Sequence, residues 1–172
     1  MSTLALQMIG AVGVNAMGAL FIGTALSKAL DQSGFASLIA AYRLFPLGMA
    51  FPVARVLTGV QLVLGAWLCS GMFPREACLT AAILLTAFAL AMGINVARGR
   101  TGLSCGCLPG QDMPLSRGAV LRTIMLAVLM LGAAETGRPD GTLLSLATLM
   151  GGISLILLTL AFLQLRNAGD AA

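Results

Sequence analysis

Apolar residues in this chain run in long blocks instead of alternating with polar ones. Five blocks approach the roughly 20 residues that a helix needs to cross the hydrocarbon core of a bilayer. They cover about residues 4–26, 51–68, 77–96, 118–134 and 143–165. The bilayer core offers no water to backbone N–H and C=O groups, and the blocks lack the period-two pattern of a barrel strand, so each is expected to be a helix. The expected fold is an all-α integral membrane protein, a five-transmembrane-helix bundle forming one membrane domain over residues 1–172.

The breaks between blocks carry turn chemistry. "LFPLGMAFP" sets Pro46 and Pro52 ahead of the second block, "SGMFPRE" places a Gly and a Pro between the second and third, and "GRPDG" from Gly137 precedes the fifth. Ser116, opening "SRGAVLR", is positioned to cap the fourth helix. Small-residue spacings such as Ala19/Gly23 and Thr148/Gly152 would let helices approach closely.

Composition agrees with this reading: 59% of the residues are hydrophobic, 9% are charged, and the mean hydropathy is +0.99, which excludes a soluble domain. The first block is too long for the apolar core of a secretory signal and no basic residue precedes it, so it is expected to remain in the mature chain. Charge adds an orientation. With five helices the termini lie on opposite sides, and one set of loops and helix starts holds Lys28, Arg43, Arg55, Arg98, Arg100, Arg117, Arg122 and Arg166, against Arg75 and Arg138 in the other. The positive-inside rule then puts the N-terminus outside, and the C-terminus and the segment after the third helix in the cytoplasm. The net charge of +4 reflects that asymmetry and points to membrane lipid, with no nucleic acid as partner.

Histidine is absent, which removes imidazole catalysis, His-ligated zinc and haem together. Asp31, Glu76, Asp112, Glu135, Asp140 and Asp170 all fall in or near expected loops, so no buried carboxylate pair suggests a proton relay. Sulfur remains. "ARGRTGLSCGCLPGQD" holds Cys105 and Cys107 on either side of Gly106. A disulfide between residues i and i+2 closes a small, strained ring for which glycine supplies the backbone angles, and a strained disulfide is readily reduced and thus oxidising. Arg98 and Arg100, with Arg117 and Arg122 at the next helix start, would favour a thiolate there. Two thiols in a turn, a loop staple, or a copper(I) or zinc site half-filled by two thiolates are the other readings of the same spacing. Cys69 and Cys78 lie equally far from the turn near Phe73 and Pro74, hence at one depth of a hairpin, as a possible second pair or as small apolar packing residues. Lys28, Arg55 and Arg122 are either snorkelling interface anchors or a site for an anion or quinone head group, and Gln61 is expected to make an interhelical hydrogen bond.

The segments "FIGTALSKALDQSGFASLIAAYRLFP", "VARVLTGVQLVLGAWL", "RGRTGLSCGCLPG" and "LRTIMLAVLMLGA" resemble the methylamine utilisation protein MauE family, within the wider DoxX-like membrane group. The similarity runs from about Ala19 to Ala133, and the arginine-preceded Cys-Gly-Cys is its most specific part; Lys28 and Arg122 also match the family pattern. The chain departs from that pattern in carrying Gln61 where the family commonly has glutamate, and "CGCLPG" in place of "CGCFG". The resemblance implies a multi-pass protein of the bacterial inner membrane that helps mature methylamine dehydrogenase, whose small subunit is rich in disulfides, alongside a thioredoxin-like MauD-type partner. By analogy with membrane thiol oxidoreductases of the DsbB and vitamin K epoxide reductase type, Cys105 and Cys107 would exchange electrons with that partner or with a quinone. The alternative is a non-enzymatic scaffold or transport component for assembly of the dehydrogenase subunit, with structural cysteines.

Overall fold

The computed structural model of the chain describes residues 2–44, 46–100, 102–103, 115–136, 150–152 and 154. Among these the chain is helical throughout, with no strand. Helix α1 runs Ser2–Leu30, α2 Gln32–Tyr42, α3 Ala50–Ser70, α4 Pro74–Ala97 and α5 Arg117–Thr136, with a single 3-10 turn at Leu47–Met49. Among the described residues, four helices are long and apolar enough to span a membrane: Gln7–Leu30 within α1, then α3, α4, and Arg117–Glu135 within α5. Most of the expected fifth segment, 143–165, lies outside the described residues; 150–152 and 154 are helical, and Gly151 and Gly152 rest on α1, where a Cβ on Gly152 would stand 2.7 Å from the Ala16 backbone nitrogen.

Contacts at both ends of each pair set the directions of the helices. Asn15 and Gly18 of α1 face Cys69 and Gly65 of α3, while Lys28 faces Gln61, so α1 and α3 are antiparallel. Arg75 meets Glu135 at 3.6 Å and Gly93 faces Val120, so α4 and α5 are antiparallel too. Gly71 ends α3 at φ 73°, a left-handed cap open to glycine, and Pro74 supplies the first turn of α4, where its missing N–H costs nothing. Trp67 donates its indole N–H to the Met72 carbonyl at 2.8 Å, tying this turn at an apolar–water boundary suited to tryptophan.

The main core lies at this end and midway down: Val14, Met17 and Phe21 of α1 meet Leu64 and Leu68 of α3, Ala81 and Leu85 of α4 and Met130 of α5. A second cluster at the other end joins Tyr42 of α2 to Met92 of α4 and to Leu115 before α5.

Helix α2 occupies residues that hydropathy assigns to a connection between blocks. Asp31 starts it: the carboxylate accepts the Gly34 N–H at 2.9 Å and the Ser33 hydroxyl at 3.0 Å. The Gly34 bond first, and the Ser33 bond second, hold the Asp31 carboxyl below its ordinary range. The cap therefore stabilises α2 above the ordinary carboxylate pKa and loses that effect as pH falls through the lowered value. Arg43 closes α2 in a left-handed conformation, φ 50°, with its N–H bonded to the Ala40 carbonyl. Ser116 caps α5, its hydroxyl accepting the Ala119 N–H at 3.2 Å.

Candidate functional site

At the end of the bundle where α1 stops and α3 starts, polar side chains gather inside apolar helices. Lys28 is half-buried and turned inward: its Nζ donates to Gln61 Oε1 at 2.7 Å. The same ammonium stands 4.7 Å from the centroid of Phe35 in α2 and 5.6 Å from that of Phe88 in α4. Both contacts are within the range of cation–π attraction, which strengthens where water is excluded. One turn further along, Gln32 Nε2 donates to Thr58 Oγ1 at 3.1 Å, and Thr58 donates onward to the Ala54 carbonyl at 2.9 Å. The spacing explains the two rungs. Thr58 and Gln61 are three apart on α3 and share one face of it, while Lys28 near the end of α1 and Gln32 at the start of α2 meet that face from either side of the junction at Asp31.

Gln61 is 3% exposed, and a side-chain amide at that depth would cost about 1–3 kcal/mol if left without hydrogen bonds. Lys28 satisfies its oxygen, and the interhelical bond expected for Gln61 is present. Among the described residues two buried acceptors have no hydrogen-bond partner: Gln32 Oε1, and Oδ1 of Asn95, a residue of α4 that is 0% exposed. Asn95 lies seven residues beyond Phe88, two helical turns toward the loop end and on the same side of α4.

This end also carries the base of the cysteine segment. Cys105 and Cys107 lie outside the described residues, but their flanks are defined. Leu115 N–H bonds to the Leu103 carbonyl at 2.7 Å, and Leu115 is buried in the cluster with Tyr42 and Met92. Arg100 is half-buried and donates through Nη1 to the Ala41 carbonyl at 3.0 Å, clamping the α4 exit to the C-terminal turn of α2.

The remaining cations are placed differently. Arg55 is exposed on α3 with its guanidinium 4.7 Å from the Phe51 ring centroid, one turn back on its own helix. Arg98, Arg117 and Arg122 are exposed at the ends of α4 and α5. Of the three cations considered for a head-group site, Lys28 is turned into the bundle while Arg55 and Arg122 face outward. The other two cysteines are far from these. Cys69 packs on α1, its thiol 3.9 Å from the Asn15 carbonyl oxygen, and Cys78 is 1% exposed in the main core. Among the described residues no three His, Cys, Asp or Glu side chains gather as a metal site.

Gln32, Phe35, Thr58, Phe88 and Asn95 escape a reading of the sequence by type. The available signals were polar residues at helical spacing, Lys28 with Gln32 and Thr58 with Gln61, beside long apolar runs. Phe88 gives no such signal, since one aromatic ring in an apolar helix resembles any other core or lipid-facing residue.

Antiparallel apolar helices enclosing a polar cluster at one end define a polytopic helical membrane protein. The family model for methylamine utilisation protein MauE matches residues 6–135, and the chain belongs to that family. It is 38% identical over 121 residues to methylamine utilization protein MauE of Paracoccus denitrificans, covering 70% of this chain and 64% of that one. Identity to the protein of the same name from Paracoccus versutus is 36% over 146 residues, 83% of this chain and 78% of the relative. The Methylophilus methylotrophus protein is 33% identical over 113 residues, 64% of this chain and 59% of the relative. The chain thus spans a little under two thirds of the P. denitrificans relative. No solved structure matches it. This is a membrane protein of the MauE family.

Proposed function

We propose that the chain is a thiol–disulfide exchange protein of the bacterial inner membrane that supports disulfide formation in methylamine dehydrogenase, working with a thioredoxin-like, MauD-type partner. The observation that carries this reading is the pinned base of the cysteine segment. The Leu103–Leu115 bond and the buried Leu115 fix both ends of a short segment containing Cys105 and Cys107, with Arg98, Arg100 and Arg117 at its flanks. Fixed ends lower the entropic cost of presenting two thiols to a partner, and nearby guanidinium groups favour the thiolate that exchange requires.

In the proposed cycle a thiolate of the reduced partner attacks the Cys105–Cys107 disulfide. One S–S bond forms as the other breaks, and the partner's second thiolate then resolves the mixed disulfide. Two electrons and two protons pass to Cys105 and Cys107, and the partner leaves oxidised, able to transfer its disulfide to the dehydrogenase small subunit. The Cys105/Cys107 dithiol returns to the disulfide by passing two electrons and two protons to a membrane quinone, which becomes the hydroquinone.

Cys69 and Cys78 take no part in this cycle. From Cys78 to the end of α4 the helix rises about 28 Å, whereas thiol exchange needs sulfur-to-sulfur contact.

Two measurements test the reading. Among the single variants Cys105→Ser and Cys107→Ser, one is expected to accumulate a partner-linked band on non-reducing gels that dithiothreitol collapses. If neither does so in cells making the dehydrogenase, exchange at this pair is wrong. The cation distribution supports a cytoplasmic position for the pair, so a membrane-impermeant maleimide applied to intact cells, after brief reduction with dithiothreitol frees both thiols, is expected to leave Cys105 and Cys107 unmodified. Modification of either reverses the orientation and puts both on the outer face.

A further inference from the structure

We infer that the Lys28–Gln61–Gln32–Thr58 cluster, with Phe35 and Phe88, is a binding site for the ring of a membrane-soluble hydroquinone, and that Gln32 makes it prefer the reduced form. This inference rests on the exchange cycle proposed above, which needs a lipid-phase electron acceptor, and it locates that acceptor on the protein.

The chemistry of the side chains selects the ligand. Lys28, Gln61, Thr58 and Phe88 belong to helices that can span the membrane, so a ligand here comes from the lipid phase or from the space between the helices. Phe35 and Phe88 bring aromatic rings from different helices to the Lys28 ammonium, an apolar and aromatic setting of the kind that a planar ring packs against. Lys28 carries three N–H donors, and a donor beside those faces suits a carbonyl or phenolic oxygen. Gln32 Oε1 is the deciding atom. It is a buried acceptor without a hydrogen-bond partner, and Nε2 of the same amide is committed to Thr58, which leaves the oxygen as the end of the amide still to be satisfied. An orphan acceptor asks for a donor, and only the reduced ring has an O–H to give; the oxidised ring has carbonyls alone.

The location fits the cycle. Lys28, Gln32, Phe35 and Phe88 are all half-buried, so the cluster is open at an edge rather than sealed in the core. It sits at the end of the bundle that carries the Leu103–Leu115 base, and Asn95 places a second unpartnered acceptor two turns along α4 toward that base.

The test measures binding alone, in the full-length Cys105→Ser/Cys107→Ser protein in lipid nanodiscs, where no thiol chemistry can intervene. A short-chain ubiquinol and the matching ubiquinone are titrated against it under anaerobic conditions. The quinol is expected to bind about fivefold to tenfold more tightly, the worth of one neutral hydrogen bond to an otherwise unpaired acceptor. Gln32→Leu is expected to abolish that preference while leaving quinone affinity within about twofold, and Lys28→Met to weaken both forms about tenfold. A helix-packing role for Gln32 would not move the ratio between reduced and oxidised ligand. Equal affinity for the two forms, saturable binding of neither, or a Gln32→Leu protein that keeps the preference would overturn the site and leave an ordered water as the partner of Gln32. Those results would leave the partner-linked band untouched, while loss of that band with intact quinol preference would sink the exchange cycle and keep the site.

Discussion

Replacing Cys105 and Cys107 together by serine is expected to abolish growth on methylamine as nitrogen source while the bundle still inserts at wild-type level. The size of the effect follows from the chemistry. Serine keeps the shape and polarity of cysteine but can form no S–S bond, so a cycle that depends on exchange loses its reactive centre entirely instead of running slowly. Folding should not suffer, because the described packing nearest to this segment is made by Leu103, Leu115, Tyr42 and Met92, none of which is changed. The measurement pairs membrane content of the variant, by immunoblot, with dehydrogenase activity and the thiol count of its small subunit. Normal dehydrogenase activity in the double variant would remove the redox role and favour a scaffold that holds the subunit during assembly. A chemical oxidant separates the two further: added cystine is expected to restore part of the activity if the lost function is oxidation, and none if it is holding. Cys69→Ser and Cys78→Ser serve as controls and are expected to retain activity, since Cys69 lies against the α1 backbone and Cys78 in the main core, at the far end of α3 and the near end of α4.

Long apolar runs are legible because lipid imposes a length and forbids unpaired backbone, and four of the five expected spans correspond to α1, α3, α4 and α5. Helix α2 was not legible by that criterion. Its 11 residues are too few to cross a bilayer, and Gln32, Ser33 and Ser37 make it resemble a connection. A capping reading would have found it: Asp31 is followed by apolar residues at 35, 36, 38, 39 and 42, the spacing of one helical face. Missing α2 also hid the site, because Gln32 and Phe35 are on it and Lys28 reads as an interface anchor when nothing stands beside it. In soluble helices, polar and apolar faces contrast and reveal which side is inward; in α4 nearly every position is apolar, so nothing in the sequence singles out the face bearing Phe88, Met92 and Asn95. The Cys-Gly-Cys motif, by contrast, stands out by spacing alone, as does the asymmetry of the cations.

Of the two small-residue spacings, Thr148/Gly152 does mark a close approach, at Gly152 against the Ala16 backbone, but Ala19/Gly23 misses the α1–α3 crossing, whose position gives the largest structural prediction. Ala19/Gly23 has the spacing of a helix-crossing motif, yet a Cβ on Gly23 would meet nothing within 4 Å. The crossing is one residue away, at Gly18, against Gly65 of α3. A Cβ on Gly65 would lie 2.8 Å from the Gly18 carbonyl oxygen and 3.0 Å from the Ile22 backbone nitrogen, and one on Gly18 would lie 2.9 Å from the Gly65 carbonyl oxygen. These neighbours are backbone, so no rotamer change can yield; the helices themselves must separate. Gly65→Ala is therefore expected to destabilise the protein by about 1–3 kcal/mol, the usual cost of overpacking, and Gly65→Leu to prevent α1 and α3 from docking. Dispersion is lost steeply with small gaps, and in lipid no hydrophobic gain between helices compensates for it. The same separation would pull Lys28 from Gln61 and Gln32 from Thr58, because both rungs span the α1–α2 to α3 interface that this crossing sets. Thermal unfolding of detergent-solubilised protein, followed with a thiol-reactive dye, checks the series: Gly23→Ala and Gly59→Ala, which meet open space, should match wild type, Gly65→Ala should melt earlier, and Gly65→Leu should show no cooperative transition. An unchanged melting curve for Gly65→Leu would mean that α1 and α3 do not cross at Gly18. The inward position of Lys28 would then lose its structural basis, since that position is set by how closely these two backbones meet.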